Sequence, residues 1–345
     1  MALNVNAFLN TVASRLRTLP VVILYVTEEC NFRCITCSYR KALPGELSLA
    51  EIQQLASRLQ AFGLKHIAFS GGEPLMRHDF PSICKAFHLN GVKETLLTNG
   101  LLLEKRFSEI GRYLTEIVVS LDGADRATHD EIRGVAVFDR IVAGIRKVAK
   151  ESPHMKVSLR TVVQKTNFRQ LPAIVALGQS LGVRHVSFLA PDMATDAFGR
   201  RSGKEALDLA SVILDPAEVA ELRSLLEEMT VTHAEEYRTG FIAQSPEAMA
   251  HIAAYFAASQ GLGPFPPVSC NAPMVSAVIT STGAMKPCFF LPEMGNVRTS
   301  DIDTIANSSS AVATRKSVKA CTLDTCRRCV CTLHVSPLSA FLGRF

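Results

Sequence analysis

The chain has 345 residues, 48% of them hydrophobic and 20% charged, so it can bury a large core and is not a disordered linker. Its net charge of +5 comes from 37 basic and 32 acidic residues scattered in ones and twos, which argues against nucleic-acid binding. No apolar run reaches the ~18 residues of a membrane span, and Met1–Leu19 lacks the basic leader and unbroken apolar stretch of an export signal. Ten cysteines without an export signal imply a reducing, cytoplasmic setting, where clustered thiols hold metal more often than they form disulfides.

After an N-terminal helical extension over 1–20, the first predicted strand is VVILYVT (21–27). Three cysteines follow at once, Cys30, Cys34 and Cys37, spaced C-x3-C-x2-C. Three thiolates on one short loop can hold three irons of a [4Fe–4S] cube and leave the fourth iron open to another ligand. The competing readings are three buried core cysteines, or a zinc site short of its fourth ligand.

The next strands are HIAFSG (66–71), ETLLTN (94–99), EIVVSLD (116–122), KVSLRTVVQ (156–164) and HVSFLA (185–190). Helical patterns lie between them, near 48–62, 79–90, 104–113, 138–151 and 169–181. Ser48 and Glu51 read as a capping box, with Gly63 as the stop. Six βα steps imply a parallel sheet covered by helices, curled into an open barrel or doubly wound; periodicity does not separate these. Unusual residues follow each strand at its carboxyl end: the cysteines, SGGEP (70–74), TNG (98–100), SLDG (120–123) and, on the fifth strand, Arg160. Such placement predicts a cofactor pocket at one mouth of the sheet. His129 falls near that mouth, and Cys84 lies on an apolar helix as core packing.

The core ends near 195, and 196–266 reads as a polar loop followed by helical segments near 216–230 and 245–260. SQGLGPFPPV (259–268) marks a boundary. In the last segment, 267–345, VSAVITSTGAMKPCFF predicts a β-hairpin around Ser281–Gly283. Cys270 and Cys288 flank it as C-x12-G-x4-C, and Cys321, Cys326, Cys329 and Cys331 follow. Four such thiols in two groups also fit a zinc ribbon. Phe289 and Phe290 would pack around a cluster here and exclude water.

With C-x3-C-x2-C after the first strand and GGEP after the second, residues 20–195 resemble the radical S-adenosylmethionine (SAM) superfamily. The resemblance implies a partial (β/α)6 TIM barrel in an α/β chain and a [4Fe–4S] cluster on Cys30, Cys34 and Cys37. SAM would chelate the open iron. Reductive cleavage would then give methionine and a 5′-deoxyadenosyl radical that takes hydrogen from substrate. The implied SAM contacts are Gly71, Gly72, Glu73 and Pro74, with Glu73 on the amino group, and Asn99, Ser120, Asp122 and Arg160 around the pocket. Arg133 would meet the SAM carboxylate or else form a surface ion pair. Thr36 departs from the family, which usually has an aromatic residue before the third cysteine.

The C-terminal segment resembles the SPASM/twitch extension of radical SAM maturases. In its twitch form, Cys270, Cys288, Cys326 and Cys329 would hold one auxiliary [4Fe–4S] cluster, leaving Cys321 and Cys331 unassigned. The implied activity is a two-electron oxidation, by dehydrogenation or cross-linking, of a small metabolite or peptide. Because only about 20 residues precede the first strand, a small molecule is the favoured substrate. A low-potential donor such as flavodoxin or ferredoxin would supply the electron. The alternatives outside this class are a non-enzymatic iron–sulfur electron carrier and a zinc-stabilised scaffold.

Overall fold

In the computed structural model, which describes residues 4–200 and 209–343, six parallel strands lie side by side in chain order. They are β1 (Val21–Thr27), β2 (His66–Gly71), β3 (Lys93–Thr98), β4 (Glu116–Ser120), β5 (Lys156–Val162) and β6 (His185–Leu189). A doubly wound sheet reverses its strand order at a switch point, whereas this sheet runs from β1 to β6 without reversal. That is six of the eight steps of a TIM barrel, and it resolves the alternative left open by periodicity.

After a short helix α1 (Val5–Val12), the crossovers use α2 (Leu49–Ala61), α3 (Phe80–His88), α4 (Leu103–Ile110), α5 (Arg126–Arg133), α6 (Phe138–Glu151) and α7 (Leu171–Ser180). The predicted capping box is formed, with Ser48 and Glu51 satisfying each other's backbone N–H groups at the start of α2. Phe69 shows how the helices seat: buried on β2, it meets the rings of Phe80 and Phe87 on α3 at 5.3 and 5.5 Å. Cys84 is buried in the same core, as expected.

Sequence periodicity missed α5. RATHDEIR has little apolar surface, but Asp125 accepts from Thr128 N–H as N-cap, and Gly134 closes the helix at φ +67°. The helices at 216–232 and 246–259 match the segments expected there. Among the described residues no helix is long and apolar enough to cross a membrane.

The expected hairpin is present as β7 (Ser276–Ile279) and β8 (Ala284–Lys286), with Gly283 at φ +86° and β9 (Gly295–Asn296) beyond. It is not set apart from the barrel. Strand β7 pairs in parallel with β1, from Val21↔Ser276 to Leu24↔Ile279, so the hairpin extends the barrel sheet beside the cysteine loop. The chain ends also meet: Asn4 N–H donates to Phe341 O at 2.7 Å, and the Asn10 amide bridges Thr18 O and Met274 O.

Candidate active site

The cysteine loop is clamped from two sides by backbone. On one side, Gly72 N–H donates to Thr27 O and Glu73 N–H to Glu29 O, both at 2.8 Å. A Cβ on Gly71 would lie 2.2 Å from Thr27 O, and one on Gly72 2.1 Å from Glu29 O. The close approach that these glycines permit is therefore to the lead-in of the cysteines. On the other side, Arg33 and Ile35 donate their N–H groups to Arg133 O and Ile132 O, both at 3.1 Å. The last carbonyls of α5, which have no partner within the helix, are satisfied by the loop. Gly134 is needed there too, since a Cβ would stand 2.5 Å from Arg33 O.

Pro74 follows within this turn as a buried first residue of a short 3-10 helix, which Glu73 caps. The Glu73 carboxylate is fully buried and accepts from Leu75 N–H (3.0 Å), Thr98 Oγ1 (2.8 Å) and Asn99 N–H (2.7 Å). Burial, only partly offset by these donors, pushes it up to about 7. The Asn99 side chain donates to Asn31 Oδ1 at 2.7 Å, tying the third strand's end to the residue after Cys30.

At the end of the fourth strand, Arg133 reaches Asp122 Oδ2 at 2.7 Å and Cys34 Sγ at 3.7 Å. It is no surface ion pair, because both partners are buried or nearly so. Burial raises the Asp122 carboxyl above its ordinary range while Arg133 pulls it back. Asp122 Oδ1 accepts from Val162 N–H at 2.8 Å, and Asp122 N–H donates to His129 Nδ1 at 3.3 Å. His129 is fully buried, and its Nε2 has no hydrogen-bond partner. Ser120 is half-buried and in register with Arg160, whose exposed side chain donates to Ser187 Oγ at a long 3.4 Å.

A layer of rings separates this loop from the hairpin. Tyr25 stacks on Phe289 (6.3 Å, 25°), and Phe198 stacks on the same Phe289 (6.3 Å, 28°). Tyr39 meets Tyr25 edge-on at 6.1 Å. Cys30, Cys37 and Phe289 all pack against the buried cluster of Tyr25, Tyr39 and Val278, and Cys37 Sγ lies 3.6 Å from Phe198 O.

The C-terminal thiols gather around Cys270 and Cys288, whose charges are felt by Cys326, Cys329 and Cys331. Buried Cys326 packs with Leu291 and Val318 against Cys288, Cys321 and Leu323. Asn271 draws in the tail after Cys331, donating to Leu333 O (2.8 Å) and pairing with Val335 through both side-chain atoms. Cys321 is the surprise. It ends the helix Ser309–Lys319 at φ +50°, where glycine is usual and a side chain costs about 1 kcal/mol. There it packs against the cluster of Leu291, Val318 and Cys326.

Residues 24–177 match the radical SAM superfamily, and residues 270–330 match the SPASM iron–sulfur cluster-binding domain. The chain carries a radical SAM domain followed by a SPASM domain. It is an enzyme whose cofactors are SAM, a SAM-binding [4Fe–4S] cluster and auxiliary iron–sulfur clustering in the SPASM domain. Among curated proteins it is 33% identical over 206 residues to Fe-coproporphyrin III synthase of Methanosarcina barkeri, covering 55% of this chain and 50% of that one. The chain thus spans about half the length of that relative. Its fold is shared with SuiB of Streptococcus suis bound to S-adenosylmethionine (TM-score 0.63, 16% identity, 95% of this chain and 77% of that one). It is shared equally with anSMEcpe bound to AdoMet and Cp18Cys peptide (TM-score 0.61, 16% identity, 95% and 96%).

The radical SAM site has the chemistry its cofactors need. Burial pushes the Cys30 thiol up to about 11 and Cys37 up to about 12, so both ionise only beside strong positive charge, which iron supplies. Arg133 Nε is buried with no partner, an orphan donor suited to a carboxylate. Glu73 is a buried carboxylate with no cation bonded to it, suited to an ammonium. Gln164, just past β5, has both amide atoms buried and unpartnered. Nothing in the sequence marks Gln164 beyond its place at a strand end. Among the described residues no three His, Cys, Asp or Glu side chains converge on a single-ion site.

Proposed function

We propose that this radical SAM enzyme abstracts a hydrogen atom from a small metabolite and then withdraws one electron from it, a net two-electron oxidation such as a dehydrogenation. The observation that carries this reading is the stacking of Phe289, the residue after Cys288, on Tyr25, a ring of the cluster against which Cys30 and Cys37 pack. When bound, SAM and the reduced first cluster together supply a 5′-deoxyadenosyl radical. The protein's part is to hold, orient and shield. Arg133, fixed by Asp122, offers its free Nε to the SAM carboxylate, and Glu73 offers its buried carboxylate to the amino group. Asn99, Ser120, Arg160 and the Gly71–Pro74 turn would complete the SAM site, and the unpartnered buried amide of Gln164 would be free to bond SAM or substrate. The ring layer of Tyr25, Tyr39, Phe198 and Phe289 keeps water from the cysteines.

Four thiols, Cys270, Cys288, Cys326 and Cys329, would fill one auxiliary cluster and leave it no open iron, which suits electron removal rather than substrate ligation. A small substrate is supported by the name of the curated relative, a porphyrin synthase. A peptide is the second reading, favoured by the Cp18Cys peptide in the anSMEcpe structure. In the cell, a low-potential donor of flavodoxin or ferredoxin type would reduce the first cluster, and the setting would be cytoplasmic. The test is anaerobic incubation with SAM and dithionite, scored for 5′-deoxyadenosine and for oxidised substrate. The double variant Cys326→Ala/Cys329→Ala should still cleave SAM and fail to form product. Undiminished product from that folded variant would overturn the electron-removal role.

A further inference from the structure

The loop that follows β6 touches both cysteine regions through one residue. The Phe198 carbonyl oxygen accepts from Ser38 N–H at 2.9 Å and lies 3.6 Å from Cys37 Sγ. The Phe198 ring stacks on Phe289 and meets Phe290 edge-on at 6.3 Å, the two residues after Cys288. Within the first site, backbone bonds from Gly72 and Glu73 fix the approach to Cys30, and bonds to α5 fix the residues on either side of Cys34. Cys37 lies beyond both clamps, and the bond from Ser38 to Phe198 does the equivalent for it.

Phe198 holds that position against its own preference. Its φ is +61°, a left-handed conformation unfavourable to a bulky side chain. Gly199 follows at φ +76°, and a Cβ on it would stand 2.9 Å from Tyr39 Cδ1 and 3.3 Å from the Ser38 carbonyl carbon. Two successive left-handed residues therefore press the chain onto Ser38 and Tyr39, which requires a constraint from the surrounding structure. Arg200 supplies it. Only 8% exposed, it donates from Nε to Ala197 O at 2.9 Å, and its two terminal nitrogens bind the backbone oxygen and the carboxylate of Asp192. Asp192, equally buried, also accepts from Ala194 N–H at 3.2 Å and from Thr195 Oγ1 at 2.5 Å. The planar fork of the arginine thus ties the start of the loop to its end. A buried ion pair of this kind adds little net stability, because desolvation of two charges offsets their attraction. Its effect here is geometric.

We propose that Arg200 is a positioning residue for the SAM-binding cluster, holding the Phe198 carbonyl against Ser38 so that Cys37 stays in place as the third iron ligand. The backbone oxygen of Phe198 does the anchoring, and its ring serves the contact with Phe289 and Phe290 instead. The role holds whatever the substrate, because Arg200 acts on the cofactor site alone.

The test uses the full chain, loaded anaerobically with iron and sulfide and reduced with dithionite. Electron paramagnetic resonance with and without SAM divides the signal: the part that SAM shifts reports the first cluster, and the remainder the C-terminal one. In the presence of a ferrous-iron chelator, Arg200→Met should lose the SAM-shifted signal roughly tenfold faster than the wild type, the scale on which partners that orient metal ligands contribute to metal retention. The remaining signal should decay at the wild-type rate. Arg200→Met leaves Asp192 buried and unpaired, which endangers the fold. The double variant Asp192→Leu/Arg200→Met removes both charges, avoids that penalty and should show the same selective loss. Phe198→Gly keeps the carbonyl and suits its backbone angle, so its first cluster should decay as in the wild type. Wild-type decay in either Arg200 variant, equal acceleration of both signals, or a loss in Phe198→Gly as fast as in the double variant would each overturn the proposal. No substrate is present, so an error in the assigned reaction leaves this result unchanged and appears instead in the product assay.

Discussion

Gly72 lies so close to Glu29 that a Cβ would stand 2.1 Å from its carbonyl oxygen and 2.6 Å from its carbonyl carbon. Both contacts are to backbone, so no side-chain rotation can relieve them. Gly72→Ala must therefore push Glu28 and Glu29 away and move Cys30 with them. The expected result is a folded protein that loses iron and acid-labile sulfide from the first site while the C-terminal cluster remains. Gly91→Ala is the control: Gly91 also has positive φ, but nothing lies within 4 Å of its Cβ position. It should cost about 1 kcal/mol of stability and leave the iron content unchanged.

Arg133 separates two tasks, because it holds Asp122 at 2.7 Å and leans on Cys34 at 3.7 Å with Nε still free. Arg133→Lys keeps a cation beside Asp122 but loses the planar fork. SAM affinity, measured by calorimetry on the anaerobic holoprotein, should weaken by roughly tenfold or more, about 1.4 kcal/mol. Cluster content should stay near that of the wild type. Arg133→Met leaves Asp122 as a buried, unpaired carboxylate and should cost about 3 kcal/mol of stability, read as a lower melting temperature. Equal SAM affinity in wild type and Arg133→Lys would remove Arg133 from the SAM site.

Much of the barrel was legible because each strand is a short β-branched run and each crossover an amphipathic helix. The chemistry collects at strand ends, so Cys30, Gly72, Asn99 and Asp122 could be placed at one mouth without coordinates. What the sequence could not convey is which atom meets which. Gly71 and Gly72 were assigned to a cofactor approach, and their partners Thr27 and Glu29 emerge only once β1 and β2 lie side by side. Helix α5 was missed because RATHDEIR is mostly polar; its cap at Asp125 and its left-handed Gly134 were the available signals. The parallel pairing of β7 with β1 joins residues 255 positions apart, from Val21 to Ser276, beyond the reach of any local pattern. Cys321 and Gln164 carry no motif, and their interest lies in a backbone angle and an unpaired amide.

Glu94 gives a pH-dependent prediction away from the active site. It sits on β3 with no exposed surface and neither carboxylate oxygen hydrogen-bonded to N or O, close to the thiol of Cys84. His88, half-exposed, lies 3.9 Å from it. Burial pushes the Glu94 carboxyl up to about 9, with the Cys84 thiol opposing weakly. In the unfolded chain the same group ionises near its ordinary pKa of about 4.3. Below that pH both states are protonated and Glu94 carries no penalty. Between the two values only the unfolded state releases the proton, so stability declines as pH rises, by at most about 1.4 kcal/mol per unit from this group. Above the folded value the loss levels off. Glu94→Gln keeps the shape and cannot ionise. Its melting temperature should exceed that of the wild type at pH 8.5 by more than it does at pH 6. Parallel melting curves for the two proteins across that range would show that Glu94 is already ionised in the fold.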